Sequence, residues 1–212
     1  MTRRPRPLFS RFYARVSPSM DAGGMAALRA ELLAGLRGEI VEVGAGNGLN
    51  FTHYPTDVHR VVAVEPEAYL RGVAERAAVR APVPVHVRPG TAERLPLADR
   101  SVDAAVLCQV MCSLDDRPAA LAELRRVLRP DGVVRFLEHT VADTPGLRRV
   151  QRLVDATLWP HLMGGCHTAT DTVGLITAAG FTVSAVRRLR FPDERFTLPT
   201  TPHVIGTALA PV

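Results

Sequence analysis

A doubly wound α/β/α fold is what this sequence predicts, with three layers built on a mainly parallel seven-stranded sheet that has an antiparallel last strand. Three observations carry the prediction. Short apolar runs of strand length alternate along the chain with stretches of helical periodicity. The runs are almost continuously apolar, as strands covered on both faces must be. The last two runs are joined only by a proline-rich link, Phe191 to Pro202, too short for a helical crossover, so their pairing is antiparallel. No internal repeat or low-complexity block offers a competing organisation.

Within Gly24 to Arg37, Met25, Leu28, Leu32, Leu33 and Leu36 fall at helical spacing, and Gly38 punctuates before the first strand, Glu39 to Val43. The second strand, Val61 to Val64, ends at Glu65-Pro66. A helix to about Arg80 follows, with Leu70, Val73, Ala74 and Ala77 in register and Pro82 as its stop. Strands are then expected at Val83 to Val87, Val102 to Leu107, Val133 to Leu137, Thr182 to Val186 and Val204 to Leu209. A helix from Pro118 to Leu128 separates the fourth from the fifth, ended by Pro130-Asp131-Gly132. The segment 145–170, with Trp159, His161, Gly164-Gly165-Cys166 and His167, reads as an insertion on the substrate side, since it is too short to bury a core of its own.

A chain of 212 residues suits one domain. With 47% hydrophobic and 22% charged residues it buries a sizeable core, which excludes wholesale disorder. We expect residues 21–212 to form that domain behind a flexible basic arm or lid over residues 1–20. All 26 basic side chains are arginine, and the lack of lysine excludes Schiff-base enzymes, a pyridoxal-phosphate anchor and the usual phosphate-binding loop. The net charge of +5 gathers mainly at Arg3, Arg4 and Arg6 between prolines. No aromatic-rich basic strip and no Asn/Asp-Pro-Pro-Tyr motif accompanies it, so nucleic acid is not the expected partner. Arg11 and Arg15 break the apolar stretch an export signal needs, and no apolar run is long enough to span a membrane, so no integral membrane association is expected. Three cysteines make no disulfide framework and point to a reducing cytoplasm.

The chemistry concentrates in Val41-Glu42-Val43-Gly44-Ala45-Gly46-Asn47-Gly48, a strand running into three glycines at alternate positions. Glycine allows a tight strand-to-helix turn and close ligand approach, and a following helix offers free N–H groups. Twenty-one residues after Gly44, Glu65 ends the second strand, where a carboxylate accepts hydrogen bonds from ribose hydroxyls. The pair suggests an adenosine-containing ligand. The dinucleotide fingerprint G-x-G-x-x-G would need its third glycine one residue later, at Leu49, which disfavours a nicotinamide enzyme, as does the absence of any Tyr-x-x-x-Lys pair.

The compact E-x-G-x-G-x-G pattern resembles the first motif of the class I S-adenosylmethionine-dependent methyltransferases, whose Rossmann-like fold matches the one expected here. The resemblance continues through Gly90-Thr91-Ala92-Glu93, Leu95-Pro96-Leu97, Asp99-Arg100-Ser101-Val102-Asp103 and the run from Glu123 to Gly132, and is similar to the ubiquinone and menaquinone biosynthesis branch. It implies S-adenosylmethionine as cofactor, bound by Glu42 at its methionine end, by Glu65 at the ribose, and by Gly44, Ala45, Gly46, Gly48, Asn50 and Pro66 around it. Thr91, Ala92 and Glu93 would neighbour the adenine, with threonine where the family often has aspartate, and Cys108 and Gln109 would face the sulfonium. A closer resemblance, to the microsomal alkyl-thiol methyltransferases, lies in Asn50 to Pro55, Cys112-Ser113, Phe136 to His139, Trp159, Gly165-Cys166 and Pro202 to Gly206.

What these resemblances imply is an in-line displacement to a small apolar acceptor at sulfur, oxygen or ring carbon, for which positioning, desolvation and removal of a proton suffice. His139 and Glu138, at the carboxyl edge beyond the fifth strand, are the base candidates. His161, His167 and Cys166 lack metal-ligand spacing and Cys108 and Cys112 read as buried thiols, so no metal is assigned. Trp159, Phe9, Phe12, Tyr13 and Tyr54 are expected to cover the acceptor or the cofactor. The competing reading is a non-catalytic cofactor-binding module or partner subunit with the same fold.

Overall fold

The computed structural model describes residues 7–211. The arginine cluster at Arg3, Arg4 and Arg6 lies outside them. The segment expected as a loose arm is helical where described: α1, Pro7–Met20, kinks through a π-turn at Asp21–Met25 into α2, Ala26–Leu33, with Gly24 at φ +117°. Phe9, Tyr13 and Val16 recur at helical spacing and line a cleft beneath α1, which gives the arm an apolar face to bury.

The strands are β1 Gly38–Val43, β2 Val58–Val64, β3 Val85–Arg88, β4 Val102–Cys108, β5 Leu128–His139, β6 Thr182–Arg190 and β7 Pro202–Leu209. They form one sheet in the order β3-β2-β1-β4-β5-β7-β6, in which β7 alone runs against the direction of the other six strands. The last-strand pairing expected from the short link is therefore present, with β7 inserted between β5 and β6. The remaining helices are α3 Ala68–Ala78, α4 Arg117–Val127, α5 Pro145–Asp155, α6 Trp159–Leu162 and α7 Thr172–Ala178.

Alternation along each central strand divides the core in two. Val41 and Val43 of β1 join Val62, Val64, Leu107 and Phe136 beneath α4 and α7, while Ile40 joins Val61, Ala63, Val106 and Leu137 beneath α2 and α3. Glu42 shares the Ile40 face of β1, so its carboxyl group points into the α2 side of the core. The fifth strand begins earlier than its apolar run implied. The Pro130-Asp131-Gly132 turn is absorbed as a bulge between the Val102–Leu128 and Ala104–Val133 pairs, with Asp131 at φ +62°. The edge strand β6 is mostly exposed rather than covered, and Arg187, Arg188 and Arg190 along it keep that edge charged.

One buried amide anchors the segment 145–170. Gln151 of α5 is fully buried; its Oε1 accepts from Ala142 N, and its Nε2 donates to the carbonyls of Thr140, Thr168 and Pro199 at 2.8–3.0 Å. Leucine at this position would match the volume and leave those groups buried without partners, at a cost of roughly 1–3 kcal/mol for each group stranded. We expect Gln151→Leu to lose at least about 2 kcal/mol of unfolding free energy, read as a shift of the urea midpoint at unchanged m.

Candidate active site

The carboxyl ends of β1, β2, β4 and β5 open into a cleft of about 1160 Å³, roofed by the inner face of α1. That exceeds the roughly 300–1,000 Å³ of a site for one small molecule, leaving room for a cofactor and an acceptor together.

The glycine loop forms its floor. Gly44, Gly46 and Gly48 all have positive φ, at +68°, +57° and +80°. A Cβ on Gly44 would meet Val110 Cγ2 at 2.4 Å, so the loop and the start of the turn after β4 fit together only with glycine. At Gly46 a Cβ would point at the Tyr13 ring, 3.3 Å away, across the cleft. Glu65 holds this loop to the second strand: its Oε2 accepts from Gly46 N and its Oε1 from Glu67 N, both at 2.9 Å.

Of the residues expected to hold the cofactor, Gly44, Gly46, Glu65, Pro66, Thr91, Ala92, Glu93, Cys108 and Gln109 line the cleft. Glu42, Ala45, Gly48 and Asn50 do not; they lie behind the loop. There the buried Glu42 accepts from Asn50 Nδ2 at 2.9 Å and from Tyr54 Oη at 2.7 Å, and Asn50 Oδ1 accepts from Arg29 at 2.8 Å. Burial pushes the Glu42 carboxyl up to about 7, against the pull of those two donors.

Arg29 was not expected. It is buried, lines the cleft, pairs with Asp21 at 2.8 Å and reaches Cys108 Sγ at 3.1 Å. The signal existed in the sequence: an arginine sits inside the stripe formed by Met25, Leu28, Leu32 and Leu33. Burial pushes the Cys108 thiol up to about 12, so it stays neutral beside that guanidinium. Gln109 occupies the left-handed region at φ +57°, and among the described residues its buried Nε2 has no hydrogen-bond partner. Strained backbone and an unmet donor on a cleft wall together mark a ligand-facing position.

The two base candidates separate. His139 lines the cleft. Glu138 is fully buried and does not; its Oε1 accepts from Val110 N at 2.9 Å and fixes the turn after β4. Opposite His139, the structure assembles a group that sequence spacing did not reveal. Cys112, His139 and Cys166 place one ligand atom each within 4.8 Å of one another, with His139 Nε2 3.3 Å from Cys166 Sγ. They come from the 3-10 turn Met111–Ser113, the end of β5 and the insertion, and the hydrogen bond from His167 N to the Cys112 carbonyl closes the arrangement. The hydrogen bond from Cys112 lowers the Cys166 thiol well below its usual value, against burial and with help from His139. Burial disfavours the His139 imidazolium, yet its contacts with Cys166 and Glu138 outweigh that and raise it.

A glycine loop tied to an acidic second-strand end, in a doubly wound sheet whose cleft admits two ligands, defines a class I S-adenosylmethionine-dependent methyltransferase. Residues 41–136 match the family model described as a methyltransferase domain. The human thiol S-methyltransferase TMT1B is 33% identical over 184 residues, 84% of this chain and 73% of that protein. The chain belongs to the methyltransferase family that TMT1B represents. The ubiquinone/menaquinone biosynthesis C-methyltransferase UbiE of Rubrivivax gelatinosus is 31% identical over 158 residues, 74% of this chain and 57% of that protein. Among solved structures, an S-adenosylmethionine-dependent methyltransferase of Thermotoga maritima, described as a possible histamine N-methyltransferase, shares the fold at TM-score 0.67, 24% identity and coverage of 95% and 97% of the two chains. These relatives lend no support to the reading as a non-catalytic module. Among the described residues no helix is long and apolar enough to cross a membrane.

The Tyr54–Glu42 bond gives a pH-dependent prediction. A carboxyl raised to about 7 from an ordinary 4.5 disfavours folding in its charged form, so this group's contribution is best below 4.5 and is lost as pH rises towards 7. The Tyr54 hydroxyl relieves that penalty by donating to the carboxylate. Tyr54→Phe should therefore cost about 1.5–3 kcal/mol at pH 8.5, where the partner is charged, and about 0.5–1.5 kcal/mol at pH 5.5, where it is neutral. Urea titrations at the two pH values measure the difference.

Proposed function

We propose that the protein methylates the sulfur of a small apolar thiol. The observation that carries this reading is the acceptor end of the cleft, where His139 and two thiols sit against Trp159, Met163 and Phe191. An alkyl chain would bury against that wall. The thiol S-methyltransferases among the relatives support the same choice.

S-adenosylmethionine, when bound, supplies a methyl group on a sulfonium, already activated for displacement. In this reading Gly44 and Gly46 let it approach the loop backbone, and Glu65 accepts from its ribose hydroxyls. Arg29 faces its carboxylate, and Thr91, Ala92 and Glu93 border the adenine. Gln109 and Cys108 stand at the sulfonium end. Glu42 and Asn50 hold the loop and Arg29 in place from behind, as Glu138 holds the turn that carries Val110. The α1 helix covers the pair of ligands and excludes water. The acceptor's proton must leave before attack, because the thiolate is the nucleophile; in the protein without a metal, His139 is the group able to take it. The three unpaired thiols suit a reducing compartment, so we place the protein in the cytoplasm, acting on a small molecule rather than nucleic acid.

Product analysis with an alkyl thiol, a quinol and a phenol, each under the same conditions, tests the acceptor class. The expected product is a methyl thioether from the thiol alone; methylation confined to oxygen or ring carbon would refute the assignment. Glu65→Ala should weaken S-adenosylmethionine binding by about 1.5–3 kcal/mol in calorimetric titration, the range for hydrogen bonds to a charged group. Unchanged affinity in a folded variant would remove Glu65 from the site.

A further inference from the structure

We propose that Cys112, His139 and Cys166 form a zinc site whose open fourth position takes the acceptor sulfur. The site itself rests on geometry, and the use made of it rests on the thiol reading above. With Zn–S near 2.3 Å and Zn–N near 2.0–2.1 Å, a tetrahedral ion needs ligand atoms about 3.5–3.8 Å apart. The three ligand atoms lie within 4.8 Å of one another, and His139 Nε2 is already 3.3 Å from Cys166 Sγ. Small side-chain shifts close the remaining gap.

Two thiolates and an imidazole form a soft donor set that selects zinc over magnesium or calcium. Zinc capture by the two thiols and the neutral imidazole releases two protons to solvent and makes three metal–ligand bonds, leaving a site with no net charge. Neutrality matters because Cys112 and His139 are buried and any uncompensated charge there would be costly. Three protein ligands with a vacant position is the pattern of catalytic rather than structural zinc. All three residues line the cleft, so the vacant position is reachable by an acceptor. An acceptor thiol that binds there loses its proton to solvent and forms a zinc–sulfur bond, and the single negative charge this adds is offset by the sulfonium of the methyl donor. Methyl transfer then forms the sulfur–carbon bond as the methyl–sulfonium bond breaks, and the neutral thioether product dissociates from the metal. His139 acts in this scheme as a ligand rather than a base.

The test uses the full chain, reduced, stripped with a chelator and titrated with Co2+ and then Zn2+. One equivalent of Co2+ should give thiolate-to-cobalt charge-transfer absorption and the visible bands of a tetrahedral ion, which Zn2+ abolishes. Addition of an alkyl thiol should shift the visible bands. Cys112→Ser and Cys166→Ser should each weaken Zn2+ binding by more than the roughly 10–100-fold that outer partners of a metal ligand cost. Calorimetry with S-adenosylmethionine on the same variants reports folding and the methyltransferase reading separately. Unaltered metal affinity in either variant, absence of the charge-transfer band, or a Cys112–Cys166 disulfide that persists in the intact mass after reduction would overturn the site. A cobalt spectrum indifferent to thiol would overturn its role towards the acceptor while leaving the methyltransferase assignment intact.

Discussion

One hydrogen bond, from Gly46 N to Glu65 Oε2 at 2.9 Å, joins the ends of the first two strands across the floor of the cleft. The loop that makes it runs through three positive-φ glycines, a conformation few other residues adopt cheaply. Without a buried acceptor at the end of β2, the Gly46 amide would face the cleft unpaired, and the loop would keep the bonds of Gly44 N and Ala45 N to the Val64 carbonyl but lose its side-chain anchor. The position of Glu65 is in turn fixed by the parallel register, in which Val43 is level with Val64. The same register carries Cys108 and Gln109 to the neighbouring edge. Sheet pairing thus sets the cofactor end, and the glycine loop is shaped around it.

Behind that loop lies a second layer of polar contacts that an apolar core would not have required. Glu42, Asn50, Tyr54 and Arg29 form a connected chain, and Asp21 closes it from the π-turn between α1 and α2. Such a network is costly to bury and is tolerated when its members satisfy one another. Here it connects three elements: the loop after β1, the helix α2, and the turn from which the roof helix α1 departs. The position of the roof over the cleft is therefore linked energetically to the floor.

Much of this was legible in the chain. The glycine spacing and the acidic end of the second strand are local signals, because one loop and one strand end dictate them. Arg29 was equally visible as a charge on an apolar stripe, and with Glu42 on the facing side of β1 the two buried groups predict one another. The roof helix was obscured by its arginines and prolines, although Phe9, Tyr13 and Val16 already had helical spacing. The edge strand β6 broke the rule of doubly covered strands because an outermost strand has only one neighbour. The cluster of Cys112, His139 and Cys166 had no local signature at all. Its members lie on three segments that meet only once the sheet order and the docking of the insertion are known.

That difference separates the two ends of the cleft. The cofactor end is assembled from strand termini, whose placement follows from the sheet and is as rigid as the core. The acceptor end depends on the insertion, held by Gln151 at its base and by Asp155, whose carboxylate accepts from Thr168 N at 2.6 Å and Ala169 N at 3.0 Å. These contacts fix the loop just beyond Cys166 and His167, so the thiol reaches His139 through a short, anchored span. One end of the cleft is therefore placed by the anchoring of the segment 145–170, while the glycine-loop end is placed by the sheet itself.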